Sequence, residues 1–143
     1  MTPPEGIVEH INPPGLFQSP AFSQVVTVTG PVRTVYVGGQ NAVTAAGEMV
    51  GLGDIAAQTD QVMANVATAL AAGGADLGHV VRWTVYLVQG QDLGAGFAAF
   101  QRAWGDRSDP PPLVTVAIVA GLAHPQALVE VEAMAVVPLP AGS

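Results

Sequence analysis

Apolar and polar positions alternate first in QVVTVTG, Gln24 to Gly30, and again in TVYVGG, Thr34 to Gly39. β-Branched and aromatic residues fill both arms, and Gly30-Pro31 supplies turn chemistry between them, so the pattern predicts a β-hairpin. A glycine-punctuated loop, NAVTAAGEMVGLGD, follows and ends in Asp54, a residue suited to a helix N-cap. From Ile55 to about Ala72 the period lengthens to that of a helix. Ile55, Val62, Val66 and Leu70 recur at helical spacing with Met63 beside them, while Gln58, Asp60, Gln61 and Asn65 lie mostly elsewhere on the wheel. Gly73-Gly74 then ends the helix.

The run HVVRWTVYLV, His79 to Val88, returns to period two. Its odd positions (Val81, Trp83, Val85, Leu87) are apolar, whereas the even ones mix Val80, Arg82, Thr84, Tyr86 and Val88. One face of that strand meets a helix-covered core and the other meets something less dry. A second helix is predicted in DLGAGFAAFQRAWGD, where Leu93, Phe97, Phe100 and Trp104 form a stripe that reads as core rather than as a ligand box. The last stretch, Pro110 to Val136, reads as two apolar strands joined by AGLAHPQ, with Glu130 and Glu132 inside the second and no cation beside them. From spacing alone the two acids read as a solvated strand face at a sheet edge. The order β-β-α-β-α-β-β predicts an α+β domain, two helices on one face of a mixed sheet. The other face has no helix, and further copies of the chain are its simplest cover.

Composition narrows the function. At 143 residues a single domain over 1–143 is expected, and half the residues are hydrophobic with a tenth charged, which excludes a disordered chain. The net charge is −7, from four arginines, no lysine and eleven acids. Nucleic-acid partners and anionic membrane surfaces need clustered cations, so neither is expected. Without cysteine there is no disulfide and no thiolate chemistry. The proline-rich, acidic start MTPPEGIVEHINPPG lacks the features of a signal peptide, and the longest apolar run, Val116 to Ala123, falls far short of the ~18 residues that span a bilayer. A soluble cytoplasmic protein is expected. His10, His79 and His124 show no metal-ligand spacing, and Ser19, Ser23, Ser108 and Ser143 have no histidine at a suggestive distance in sequence. GLGD has no lysine and too few glycines for a phosphate loop. Gly38-Gly39 reads as a turn or bulge.

Four pieces in the right order resemble the RidA/YjgF family, the reactive-intermediate deaminases also described as endoribonuclease L-PSP. PAFSQVV is similar to that family's opening GPYSQAV, and VYVGGQ to its SGQ strand end. QTDQVMANVATALAAGGADLGHVVRWTVYL resembles its first helix and long strand. VAGLAHPQALVEVEAMAV resembles its closing V-x-x-L turn and IEIEAIAV strand. The resemblance implies a chorismate-mutase-like α+β fold. It also implies a homotrimer with a central β-barrel and active clefts between subunits, with no cofactor and no metal. Family members hydrolyse enamines and imines to a keto acid and ammonia.

Carried over residue by residue, the resemblance departs from the family at its polar anchors. The arginine that grips a substrate carboxylate becomes Val114, the frequent cysteine becomes Val116, and the tyrosine of GPYSQ becomes Phe22. The glycine of SGQ is Gly39, whose N–H remains available to a substrate oxygen or nitrogen. The water-positioning glutamate is Glu130, and Glu132 is then structural. A lone carboxylate in an apolar cleft suits holding a water and passing a proton. The expectation is an arginine-lacking branch that deaminates an imine or enamine other than the usual 2-aminoacrylate. The alternative is a non-catalytic trimer that binds small metabolites in the same cleft. Arg33 and Arg102 are the cations on offer for any carboxylate. A ribonuclease reading conflicts with the net charge and the lack of lysine.

Overall fold

The computed structural model describes residues 5–107 and 109–143, so Ser108 lies outside it. The first helix, α1, runs from Ile55 to Ala72, the bounds that the helical period predicts. Asp54 caps it, its Oδ1 accepting from Ala57 N–H at 3.1 Å, an interaction worth about 1 kcal/mol. Ile55, Val62, Met63, Val66 and Leu70 form its buried stripe.

Gln58 corrects the polar side of that wheel: it is fully buried. Its Nε2 donates to Gly51 O at 3.2 Å and to Gln126 O at 3.0 Å, and its Oε1 accepts from Leu128 N–H at 2.8 Å. A buried carboxamide is tolerated because backbone partners meet both of its ends. Those partners tie the loop before α1 to the turn that enters the last strand.

The main sheet has four strands in the order β3 (Val32–Gln40), β6 (Val129–Pro138), β4 (Val80–Val88), β5 (Leu113–Val119). β6 is antiparallel to both neighbours, whereas β4 and β5 are parallel and joined through the second helix, α2 (Leu93–Trp104). Both helices lie on one face, as expected for this α+β pattern. On that side Val129, Val131, Ala133 and Ala135 of β6 are buried, with Val80 and Trp83 of β4, against α1. Trp83 meets Phe100 and Trp104 edge-on, at centroid distances of 5.4 and 6.1 Å, and this aromatic group fills one end of the space under α2.

The expected hairpin between Gln24–Gly30 and Thr34–Gly39 does not form. β2 (Val25–Thr29) pairs instead with β1 (Ile7–Ile11), antiparallel, as a separate two-stranded ribbon. β3 is taken by β6, beginning at Val32↔Pro138, and Leu139 N–H donates to Pro31 O just before it. Gly30 makes the break, with φ at +84°, and a Cβ there would come 2.8 Å from Glu5 O. The ribbon lies across the end of the main sheet, where Gly6 N–H donates to Leu139 O and Ser23 N–H to Pro112 O.

Replacing Gln58 with alanine would leave Leu128 N–H and Gln126 O without their partner, while Gly51 O keeps Asp54 N–H. Gln58→Ala should lower stability by about 2–4 kcal/mol in urea unfolding, with Thr68→Ala, on the exposed side of α1, changing it by less than about 0.5 kcal/mol.

Candidate functional site

Strand alternation divides the sheet into a dry face under the helices and a bare face opposite. On β6 the bare face carries Glu130, Glu132 and Met134, all half-buried, between the buried Val129, Val131 and Ala133. Their cross-strand neighbours on β4 are Tyr86, Thr84 and Arg82 respectively. The two carboxylates are roughly 7 Å apart by strand rise. β6 is flanked on both sides, so the acids do not occupy a sheet edge as their spacing alone suggests.

Gly39 lies against one of them. The β3–β6 register shifts between Val37 and Gln40, a bulge that holds Gly38-Gly39. A Cβ built on Gly39 would approach Glu130 Oε2 to 2.8 Å and Cδ to 2.9 Å. Only glycine leaves the carboxylate room to lie on the backbone there.

A shallow hollow of about 360 Å³ opens on the same face, lined by Tyr36, Gly38, Arg82, Thr84, Glu132 and Met134. Arg82 is therefore the cation that shares this hollow with Glu132. The two that sequence reasoning offers lie elsewhere: Arg102 pairs with Asp60 at 3.3 Å on the helical side, and Arg33 sits beside Gly74 and opposite Val137, roughly 23 Å along β6 from Glu130.

A second hollow, also about 360 Å³, lies on the dry face between α2 and strands β4, β5 and β6. Phe22, Val114 and Val116 all line it, so three of the predicted site residues come together. Leu93, Gly96, Phe97 and Phe100 of α2 form the opposite wall. The stripe read as helix core is thus only half core: Phe100 and Trp104 pack on Trp83, whereas Leu93 is 47 % and Phe97 55 % exposed over the hollow. No charged side chain lines the space. Its polar side chains are Thr59, whose hydroxyl donates to Ile55 O at 2.8 Å, and Trp83. The Trp83 indole Nε1 is buried with no hydrogen-bond partner among the described residues, an arrangement that costs about 1–3 kcal/mol.

The fold also joins His10 to Ser23, with Nδ1 3.2 Å from Oγ, a pairing invisible in sequence because it spans two paired strands and a loop. Both groups also meet Pro111 O, to which the Ser23 hydroxyl donates. With its proton engaged and its side chain buried, Ser23 locks the ribbon to the start of β5 and is not placed as a nucleophile. His79 accepts from Asp76 N–H, and His124 from Gln126 N–H within the turn before β6. Among the described residues no group of three acids and histidines is placed to hold a metal ion, and no helix is long and apolar enough to cross a membrane.

The sequence profile described as Endoribonuclease L-PSP matches residues 17–137. The chain belongs to that family, the Rid/YjgF group. Protein DfrA of Myxococcus xanthus is 39% identical over 101 residues, covering 69% of this chain and 73% of the relative. Among solved structures, the Rid-family protein YyfB from Yersinia pestis is 36% identical with a TM-score of 0.75, covering 90% of this chain and 97% of its own. RidA from an Antarctic Psychrobacter is 29% identical with a TM-score of 0.62, covering 79% and 85%.

On this Rid chain the five predicted site residues fall into two groups on opposite faces of one sheet. Gly39 and Glu130 are together on the bare face, toward the edge strand β3. Phe22, Val114 and Val116 are together on the dry face, toward the other edge strand, β5. Three strand spacings, roughly 14 Å, separate the two edges. Sequence reasoning missed Arg82, Trp83 and the outer half of the α2 stripe. The even positions of β4 carried the signal for Arg82, and the mixed i, i+3, i+4 step of Leu93, Gly96 and Phe97 carried a weaker one for the hollow.

Gly39→Ala would push the flexible end of Glu130 aside without disturbing the core. The side-chain carboxyl ¹³C resonance of Glu130, assigned through its loss in Glu130→Gln, should shift in Gly39→Ala while the unfolding midpoint stays within about 1 kcal/mol of the parent.

Proposed function

We propose that the protein is a cofactor-free hydrolase of imines or enamines, active as a homotrimer, with the whole chain acting as one Rid-like unit. The observation that carries this reading is the Gly39–Glu130 contact, a carboxylate seated on a glycine that leaves space for nothing else. Glu130 holds a water and takes one of its protons as the water oxygen bonds to the imine carbon. The C=N electron pair moves to nitrogen, which receives the proton. Glu130 then takes the hydroxyl proton of the resulting carbinolamine and passes it to nitrogen as the C–N bond breaks, so that nitrogen leaves as ammonia and the carboxylate is restored. An enamine enters the same route after protonation at carbon. Gly39 N–H orients the substrate by donating to its oxygen or nitrogen.

Assembly supplies the remaining wall. Within one chain the apolar group at β5 cannot reach Glu130 through the sheet. A neighbour whose β5 edge approaches the β3 edge of the first would set Phe22, Val114 and Val116 opposite Gly39 and Glu130. Such a cleft contains the carboxylate and lacks the carboxylate-gripping arginine, so 2-aminoacrylate is not its substrate.

A second reading, a trimer that binds small metabolites without turning them over, is favoured by the wholly apolar group at Phe22, Val114 and Val116. Ammonia release separates the two. A panel of enzymatically generated imines, half with an α-carboxylate and half without, should show acceleration confined to the carboxylate-free half. Glu130→Gln should reduce that acceleration by about 100-fold or more. A parent protein without effect on any imine would leave the binding trimer, and equal loss of fold and rate in the variant would discount its result.

A further inference from the structure

A third hollow, of about 380 Å³, lies away from both groups of the candidate site, where the β1–β2 ribbon meets the end of the main sheet. Its volume falls within the range of small-molecule sites. Val8 of the ribbon, Val80 and Val136 of the sheet and Trp104 at the end of α2 give it an apolar lining. Its polar side chains are His10, His79 and Asp109. None of these residues belongs to the groups around Glu130 and Phe22. Asp109 is exposed, whereas the two imidazoles are half-buried.

Backbone partners set the two neutral rings in opposite tautomers. His10 Nδ1 meets Pro111 O at 3.1 Å, and a carbonyl can only accept, so Nδ1 carries the proton and Nε2 keeps a lone pair. His79 Nδ1 accepts from Asp76 N–H at 3.0 Å, so its proton is on Nε2. The Asp76 carboxylate is 3.4 Å from that same nitrogen, but its Oδ1 is already engaged by Gly78 N–H at 2.8 Å. Neither Nε2 has a hydrogen-bond partner among the described residues. Trp83 Nε1 is the one buried side-chain nitrogen or oxygen left without a partner among them, so both Nε2 atoms keep surface open to solvent. The hollow thus offers one acceptor and one donor, each on a ring held by the backbone.

We propose that this hollow binds an uncharged molecule with an apolar body and an amide-type edge, whose N–H donates to His10 Nε2 and whose C=O accepts from His79 Nε2–H. An anion would face the His10 lone pair and the Asp109 carboxylate, and a cation would face the His79 donor. A hydrocarbon would strip water from both ring nitrogens and offer no partner in return. The site shares no residue with the Glu130 cleft, so it stands whether or not the protein hydrolyses imines.

Three ligands of like size test this with the full-length protein at pH 8, where imidazole is neutral: caprolactam, N-methylcaprolactam, which lacks the donor, and azepane, which carries a positive charge. The readout is the long-range ¹H–¹⁵N spectrum of the three imidazoles, assigned through the signals lost in His79→Phe and His124→Phe. Without ligand, His10 should appear as the Nδ1–H tautomer and His79 as the Nε2–H tautomer. Caprolactam should shift Nε2 of both rings and leave His124 unmoved. It should bind about five-fold more tightly than either other ligand, the value of one hydrogen bond. His79→Phe should lower caprolactam affinity by about the same factor, and His124→Phe should not change it. The tautomers and the ligand series are read in the parent protein, so the result does not depend on a variant folding. The reverse tautomer in either ring, equal affinity for the three ligands, binding that leaves both Nε2 signals unmoved, or no binding at all would overturn the assignment.

Discussion

Strand β6 is the constraint on which the rest depends. It is hydrogen-bonded to β3 on one side and β4 on the other, so its register is held twice. Its side chains alternate strictly between buried Val129, Val131, Ala133 and Ala135 and half-buried Glu130, Glu132 and Met134. A slip of one residue would turn both carboxylates into the helix-covered core and expose four apolar residues, at a cost well above the stability of a small domain. The start of the strand is held by Gln58, which accepts from Leu128 N–H across 70 residues of sequence. The position of Glu130 therefore depends on a buried carboxamide on α1 that touches nothing at the site.

Local periodicity was legible wherever one physical cause dominated. α1 has a dry stripe, a side-chain cap at Asp54 and two glycines after it, and all three signals agree on its bounds. On β4 the apolar positions Trp83, Val85 and Leu87 do meet the helix-covered core, whereas a bulge between Val80 and Arg82 puts Val80 there in place of Val81. The misread parts are those in which a second cause competes. In β1 the outward positions are Ile7, Glu9 and Ile11 while Val8 and His10 turn inward, so its pattern does not announce a half-buried strand. With β1 unseen, β3 became the available partner for β2, although β6 offers β3 a longer ladder. Gln58 reads as polar surface because a helical wheel carries no information about the loop carbonyls that will surround it.

The candidate site shows a different limit. A resemblance places residues in a shared role, and the five positions carried over here do cluster, but in two groups rather than one. Alternation along β5 and β6 determines this. Val114 and Val116 share a face with Val129 and Val131, and Glu130, one residue on, must face away. No rearrangement within a single chain can join the groups without breaking the sheet. A site that uses both has to be shared between chains. The bare face inferred from the helix count and the division of the site thus have one origin, a sheet with helices on only one side.

Under the proposed function, that division separates two tasks that many active sites combine. The carboxylate and its glycine are on β6 and β3, in close approach to one another. The apolar group is on β5, α2 and the Phe22 loop, around a hollow without a charged side chain. Residues so far apart couple weakly, so substitutions on one side leave the other nearly unchanged. Valine for arginine at position 114 changes what the dry side can hold, because it removes the only partner a buried anion would have. It does not alter the register of β6 or the room at Gly39. A chain can thus carry valine where the resemblance places the family's arginine and keep the close approach of Glu130 to Gly39. In this structure the only buried side-chain donor still without an acceptor, among the described residues, is Trp83 Nε1–H.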